Sequence, residues 1–272
     1  MNINRSYAFT SPDSSQRGAV LIVVLLFLVL IISVGVIAIR NSSTDLKLAT
    51  SDQINTLLLQ SSDSVNNKIE MSVNGNPNSQ EHKQIMGFTG IFGYYILEDI
   101  TDDIVDFCYR PRSSFFNIEN AVIRRDSGRL VDNATGYCDP ILSSDYTSAR
   151  NTTMTQVMVK NVSATANAGA FEQMSLGTDS DEKTAKVYTF DIYSTSVLPA
   201  YGNADDDKVK DCFAKDASNK TDGVTNCMTE NSIPNKMLVE QVDVANIESS
   251  ELCHYYGDAG SAGSTNPLCS DI

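Results

Sequence analysis

Histidine is almost absent: His82 and His254 are the only two in 272 residues, and they lie far apart. Neither falls in a His-Glu-x-x-His zinc pattern or beside a nucleophile elbow. No Gly-x-x-x-x-Gly-Lys or Gly-x-Gly-x-x-Gly occurs, so the glycine-rich cradles that hold nucleotide phosphates are missing. No Cys-x-x-Cys occurs, which removes the zinc-ribbon and thioredoxin signatures. Cys253-His254 resembles a dyad only on paper, because a cysteine paired in a disulfide is not a nucleophile. Acidic neighbours such as Glu98-Asp99 and Asp102-Asp103 read as solvated faces. These absences argue against an enzyme.

Positive charge is also scarce. Lys and Arg number 20 against 34 Asp and Glu, a net charge of −14. A nucleic-acid binder needs a basic footprint to displace counterions from phosphate. Arg124-Arg125 with Arg129 is a small basic group beside Asp126, so direct nucleic-acid binding is not expected.

One stretch lacks charge altogether. Residues 19–39 are 21 uncharged, mainly aliphatic residues, preceded by the short polar segment ending Gln16-Arg17-Gly18. A bilayer core of about 30 Å takes roughly 20 apolar residues in a helix. Arg5 and Arg17 before the run favour a cytoplasmic N-terminus, which places the rest of the chain outside the cytoplasm. Three readings follow: a plain anchor, a signal peptide cut near Ser33-Val34-Gly35, or a run retained after cleavage at Gly18. The apolar run continues through Val36, Ile37, Ala38 and Ile39, which counts against the signal peptide.

From Arg40 to Val73 there is neither Pro nor Gly. Leu46, Ala49, Ile54, Leu57, Leu58, Ser61, Val65 and Ile69 recur every three or four residues, which predicts one stripe of an amphipathic helix. Asn74-Gly75-Asn76-Pro77 ends it. A single helix from 19 to 72 would be about 80 Å long at 1.5 Å per residue. Its first half is apolar all round and its second half is amphipathic.

Gln16-Arg17-Gly18 followed by Ala19 and an unbroken apolar run resembles the class III leader of type IV prepilins. The resemblance implies cleavage after Gly18 by prepilin peptidase, N-methylation of Ala19, and a pilin-like α+β fold. It divides the chain into leader 1–18, a transmembrane or filament-core half 19–39, an amphipathic half 40–74 and a globular head 75–272. Most pilins carry glutamate as the fifth mature residue, paired with the N-terminal ammonium of a neighbouring subunit; here that residue is Val23. A carboxylate in a bilayer costs about 2.5–3.5 kcal/mol, so a family that keeps one gains from it. A subunit without it lacks the usual means of docking beneath another, and Val23 therefore implies a first, or tip, position.

Two pilin-like groups share that lack: the PilX-type minor pilins and the large tip pseudopilin of type II secretion systems. The stretch from Arg17 to Leu26, with Ile39-Arg40, is most similar to the PilX type. This implies an assembly-priming or tip complex supporting adhesion, twitching motility or DNA uptake. Its partners would be other minor pilins, the major pilin and the inner-membrane assembly platform, with contact to a host or neighbouring cell. The head would be periplasmic before assembly and extracellular, at the pilus tip, after it. The tip pseudopilin is the alternative and implies a larger, more helical head. A single-pass anchored binding domain that never polymerises is a third reading.

Cys108, Cys138, Cys212, Cys227, Cys253 and Cys269 all follow the apolar run, an even number that reads as disulfides in an exported region. Fifteen pairings are possible. The spacings favour sequential pairing, 108–138, 212–227 and 253–269, each closing a polar, turn-rich loop.

Three segments predict strands: 153–160, 185–195 and 237–244. An antiparallel sheet of these would pack on the amphipathic half of the helix. Residues 199–235 read as a long inserted loop, and 253–272 as a second stapled one; the resemblance implies that such loops are contact surfaces. Asp205, Asp206 and Asp207 cluster carboxylates of the kind that take Ca²⁺, and tip pseudopilins bind calcium. The EF-hand pattern of ligands and glycine is missing, and no cofactor is expected.

Overall fold

The structure is a computed structural model. It describes residues 17–76, 78–87, 89–98, 102–113, 115–125, 128–132, 135–163, 187–202 and 205–245. The expected leader up to Gln16 and the cysteine pair Cys253 and Cys269 lie outside the described residues. The chain divides into two units, Met1–Gln53 and Ile54–Ile272.

Helix α1 runs from Arg17 to Val73, as its unbroken run of helix-compatible residues requires. In the first unit its apolar side chains are exposed, and the helix is long and apolar enough to cross a membrane by length and composition. Ser33 donates its hydroxyl to the Val29 carbonyl at 2.8 Å, and Thr44 and Thr50 bond back in the same way to Arg40 and Leu46. Such a bond lets a hydroxyl sit in an apolar helix without an unmet donor.

The second unit holds the last turns of α1 and the head. Helix α2 (Gln80–Met86) starts at Ser79, whose side chain accepts the His82 amide. Helix α3 (Ile91–Glu98) follows at once. Gly93 approaches the end of α2 so closely that a Cβ would lie 1.9 Å from the Gly87 carbonyl oxygen. The sheet is built from β1 (Ile104–Cys108), β2 (Ala121–Arg125), β3 (Gly128–Asp132), β4 (Met154–Asn161), β5 (Val187–Val197) and β6 (Asn235–Ala245). Its order is β3-β2-β1-β4-β5-β6, and every pairing is antiparallel. Between β5 and β6 lie helices α4 (Asp206–Phe213) and α5 (Val224–Glu230).

Both faces of the sheet are covered. On one face Val105, Phe107, Ile123, Val157, Val159, Phe190 and Ile192 pack with Val65 and Ile69 of α1 and with the apolar residues of α2 and α3. Phe92 stacks on Phe190 with ring centroids 4.5 Å apart. On the other face Ile104, Val122, Met154, Met158 and Val197 pack with Val209, Phe213, Val224 and Met228 of α4 and α5. The α+β class is thus present as a helix–sheet–helix sandwich.

Three expectations change. Among the described residues the sheet has six strands, where three were expected. Residues 199–235 are not a bare loop: they hold α4 and α5, which are short and mostly polar but bury Val209, Phe213 and Met228. Within the second unit the helical stripe is buried at Leu58, Val65 and Ile69, while Ile54 is half-buried and Leu57 40% exposed.

Candidate functional site

Gly18 and Ala19 occupy the first turn of α1, which carries no acidic side chain. A Cβ added at Gly18 would meet nothing within 4 Å among the described residues. Val23 is exposed on the same helix, among Val20, Leu21, Ile22 and Val24. The region offers an apolar cylinder with a small-residue junction at its start and no charge along 19–39.

In the second unit α1 is seated on the sheet through hydroxyls. The Ser61 hydroxyl lies 2.8 Å from that of Thr147 and 2.9 Å from that of Thr155. Ser62 donates to Ser196 at 2.8 Å, and Ser196 lies 2.8 Å from Thr155. Ser194 donates to the side-chain oxygen Oδ1 of Asn66 at 2.7 Å. Small side chains permit close approach, and each bond contributes about 0.5–1.5 kcal/mol net. Further along, Val65 and Ile69 enter the apolar core. His82 is part of the helix end: its Nδ1 donates to the Ser72 carbonyl at 2.9 Å.

Cys108 is bonded to Cys138 and Cys212 to Cys227. The first bridge is buried and its span contains β2 and β3; the second joins α4 to α5. Neither closes a simple surface loop. Beside Cys138 the chain makes a tightly pinned turn. Arg110 donates to both oxygens of buried Asp145, at 2.6 and 2.9 Å, and also to the Thr135 carbonyl. Asp139 accepts from the Ile141 amide at 3.0 Å and from Lys210 of α4 at 3.0 Å. Burial pushes the Asp139 carboxyl up, but the Ile141 amide and Lys210 outweigh it and hold the group below the usual aspartate range. On this turn Ile141 is 71% exposed and Leu142 42%. Their signal in the sequence is an apolar pair set between the turn formers Pro140 and Ser143-Ser144.

Asp205 is the N-cap position of α4, and Asp206 and Asp207 form its first turn, where carboxylates complement the helix dipole. All three are exposed. Among the described residues no group of three or more His, Cys, Asp or Glu is placed to hold a metal ion. A cleft lined by Phe107, Arg110, Phe115 and Asn117 has about 20 Å³ of room, enough for one water and not for a metabolite. Compared with known proteins, the chain matches no protein-family profile, no curated protein and no solved structure.

Proposed function

We propose that this chain is a minor pilin of the PilX type that primes assembly of a type IV pilus and takes a place at its tip. One observation carries the reading: α1 runs from the Gly18-Ala19 junction through an exposed, uncharged apolar half, and ends seated on an antiparallel sheet. Prepilin peptidase would cut after Gly18. The apolar half would lie in the inner membrane before assembly and in the filament core after it. Val23 in place of an acid supports the tip position. Other minor pilins, the major pilin and the assembly platform are the partners. The pinned turn bearing Ile141 and Leu142 supports a contact surface on the head.

A tip pseudopilin of type II secretion is the second reading. The layer of α4 and α5 on the far face makes the head more helical than its sequence suggests, which favours that alternative. The genes beside this one distinguish the two. N-terminal mass spectrometry of protein extracted from membranes tests both. A chain starting at methylated Ala19 is expected; one starting at Met1 or Val36 refutes the pilin reading.

A further inference from the structure

The two edges of the sheet differ. β3 is five residues long, and its pairing with β2 shifts register between Ile123 and Arg124. Short length and a bulge are how proteins blunt an edge against pairing. β6 has neither device. It is 11 residues long, pairs with β5 without a register shift from Asn235 to Ala245, and contains no proline. Its one cation, Lys236, stands near the start of the strand. Val239, near the middle, is 50% exposed. Among the described residues no strand pairs with its outer side.

The charge along this edge selects an occupant. Glu240 is the central residue of β6, and Asp243 lies three residues on. Burial raises the Glu240 carboxyl above its ordinary value, and the negative charges of Glu70 and Asp63 on α1 raise it further; the Asn66 amide pulls it back only in part. Two carboxylates of α1 thus act on Glu240, which stands on an open backbone edge. A second copy pairing antiparallel in full register would set Glu240 opposite Glu240, a like-charge pair that costs stability. A cation at that position would relieve the crowding.

We propose that the outer edge of β6 is a strand-addition site for an extended segment of another protein carrying a lysine or arginine opposite Glu240. Backbone hydrogen bonds supply affinity, and the carboxylates supply charge selection and direction. The argument is independent of the pilin reading.

The test uses the full chain in detergent and two nine-residue peptides of alternating threonine and valine, one with a central lysine and one with a central glutamate. Hydrogen exchange of the free chain is expected to show alternate β6 amides exchanging fast while β4 amides stay protected. The lysine peptide slows exchange across 235–245 and binds about fivefold tighter than the glutamate peptide, as one cross-strand charge pair allows. Glu240→Lys reverses that preference, with β4 protection reporting that the variant is folded. The proposal is overturned if β6 amides are already protected like those of β4 in the free chain, if the two peptides bind alike, or if protection falls elsewhere.

Discussion

At the scale of single residues, the head sets arginines against buried aspartates. Asp103, Asp106 and Asp145 are at most 1% exposed, and each is paired with an arginine: Arg125, Arg124 and Arg110 respectively. Asp103 also accepts from the Tyr94 hydroxyl at 2.6 Å. A buried carboxylate is tolerated only when paired and hydrogen bonded, so these arginines hold the three aspartates inside the head. Glu240 is the opposite case, a carboxyl raised first by burial and then by the like charges of Glu70 and Asp63. Its raised folded value means that the folded chain holds its proton to higher pH than the unfolded chain does. Stability is therefore lost as pH rises through the ordinary glutamate range and stays lost above the folded value. Glu240→Gln is expected to raise stability at pH 7 by up to about 0.5 kcal/mol and to change nothing at pH 3.5. Urea midpoints at the two pH values check this; equal effects at both would refute it.

At the scale of elements, the strands that could be read in advance were those with alternation, near 153–160, 185–195 and 237–244. β1 carried no such pattern because all five of its residues are buried, so Ile104, Asp106 and Cys108 face one layer while Val105 and Phe107 face the other. A strand covered on both sides shows no polar face. Helices α4 and α5 escaped notice for a different reason. Each is seven or eight residues long, too short for periodicity to stand out, and α4 buries only Val209, Cys212 and Phe213. Tertiary packing and the Cys212–Cys227 bridge hold what propensity alone would not. With a sequence separation of 15, replacing both cysteines by alanine is expected to cost about 3 kcal/mol. Hydrogen exchange of the variant should show loosening in α4 and α5 before β4. Uniform loosening would mean that the hairpin is not a separate layer. The pinned turn at 139–146 was legible only in its composition, because its partners Arg110 and Lys210 are distant in sequence.

At the scale of the molecule, two units of different surface character divide one helix between them. The first, up to Gln53, exposes leucine, isoleucine and valine along its apolar run; the second, from Ile54, closes two apolar cores around its sheet. A chain beginning at Ile54 is expected to stay in the aqueous phase of a detergent phase-separation assay, while the full chain enters the detergent phase. Partition of the shortened chain into detergent would place membrane affinity in the head and refute the division.

The hydroxyls between α1 and the sheet also have a mechanical meaning. Ser61, Ser62 and Asn66 meet Thr155, Ser196 and Ser194 over little more than one helical turn. Pulling along the helix axis loads these bonds side by side, so they must yield together rather than peel one by one. A slip of one turn would carry Val65 toward the place of Ser61 and leave buried hydroxyls without partners, at about 1–3 kcal/mol each. These bonds therefore add resistance to shear beyond what the packing of Val65 and Ile69 supplies.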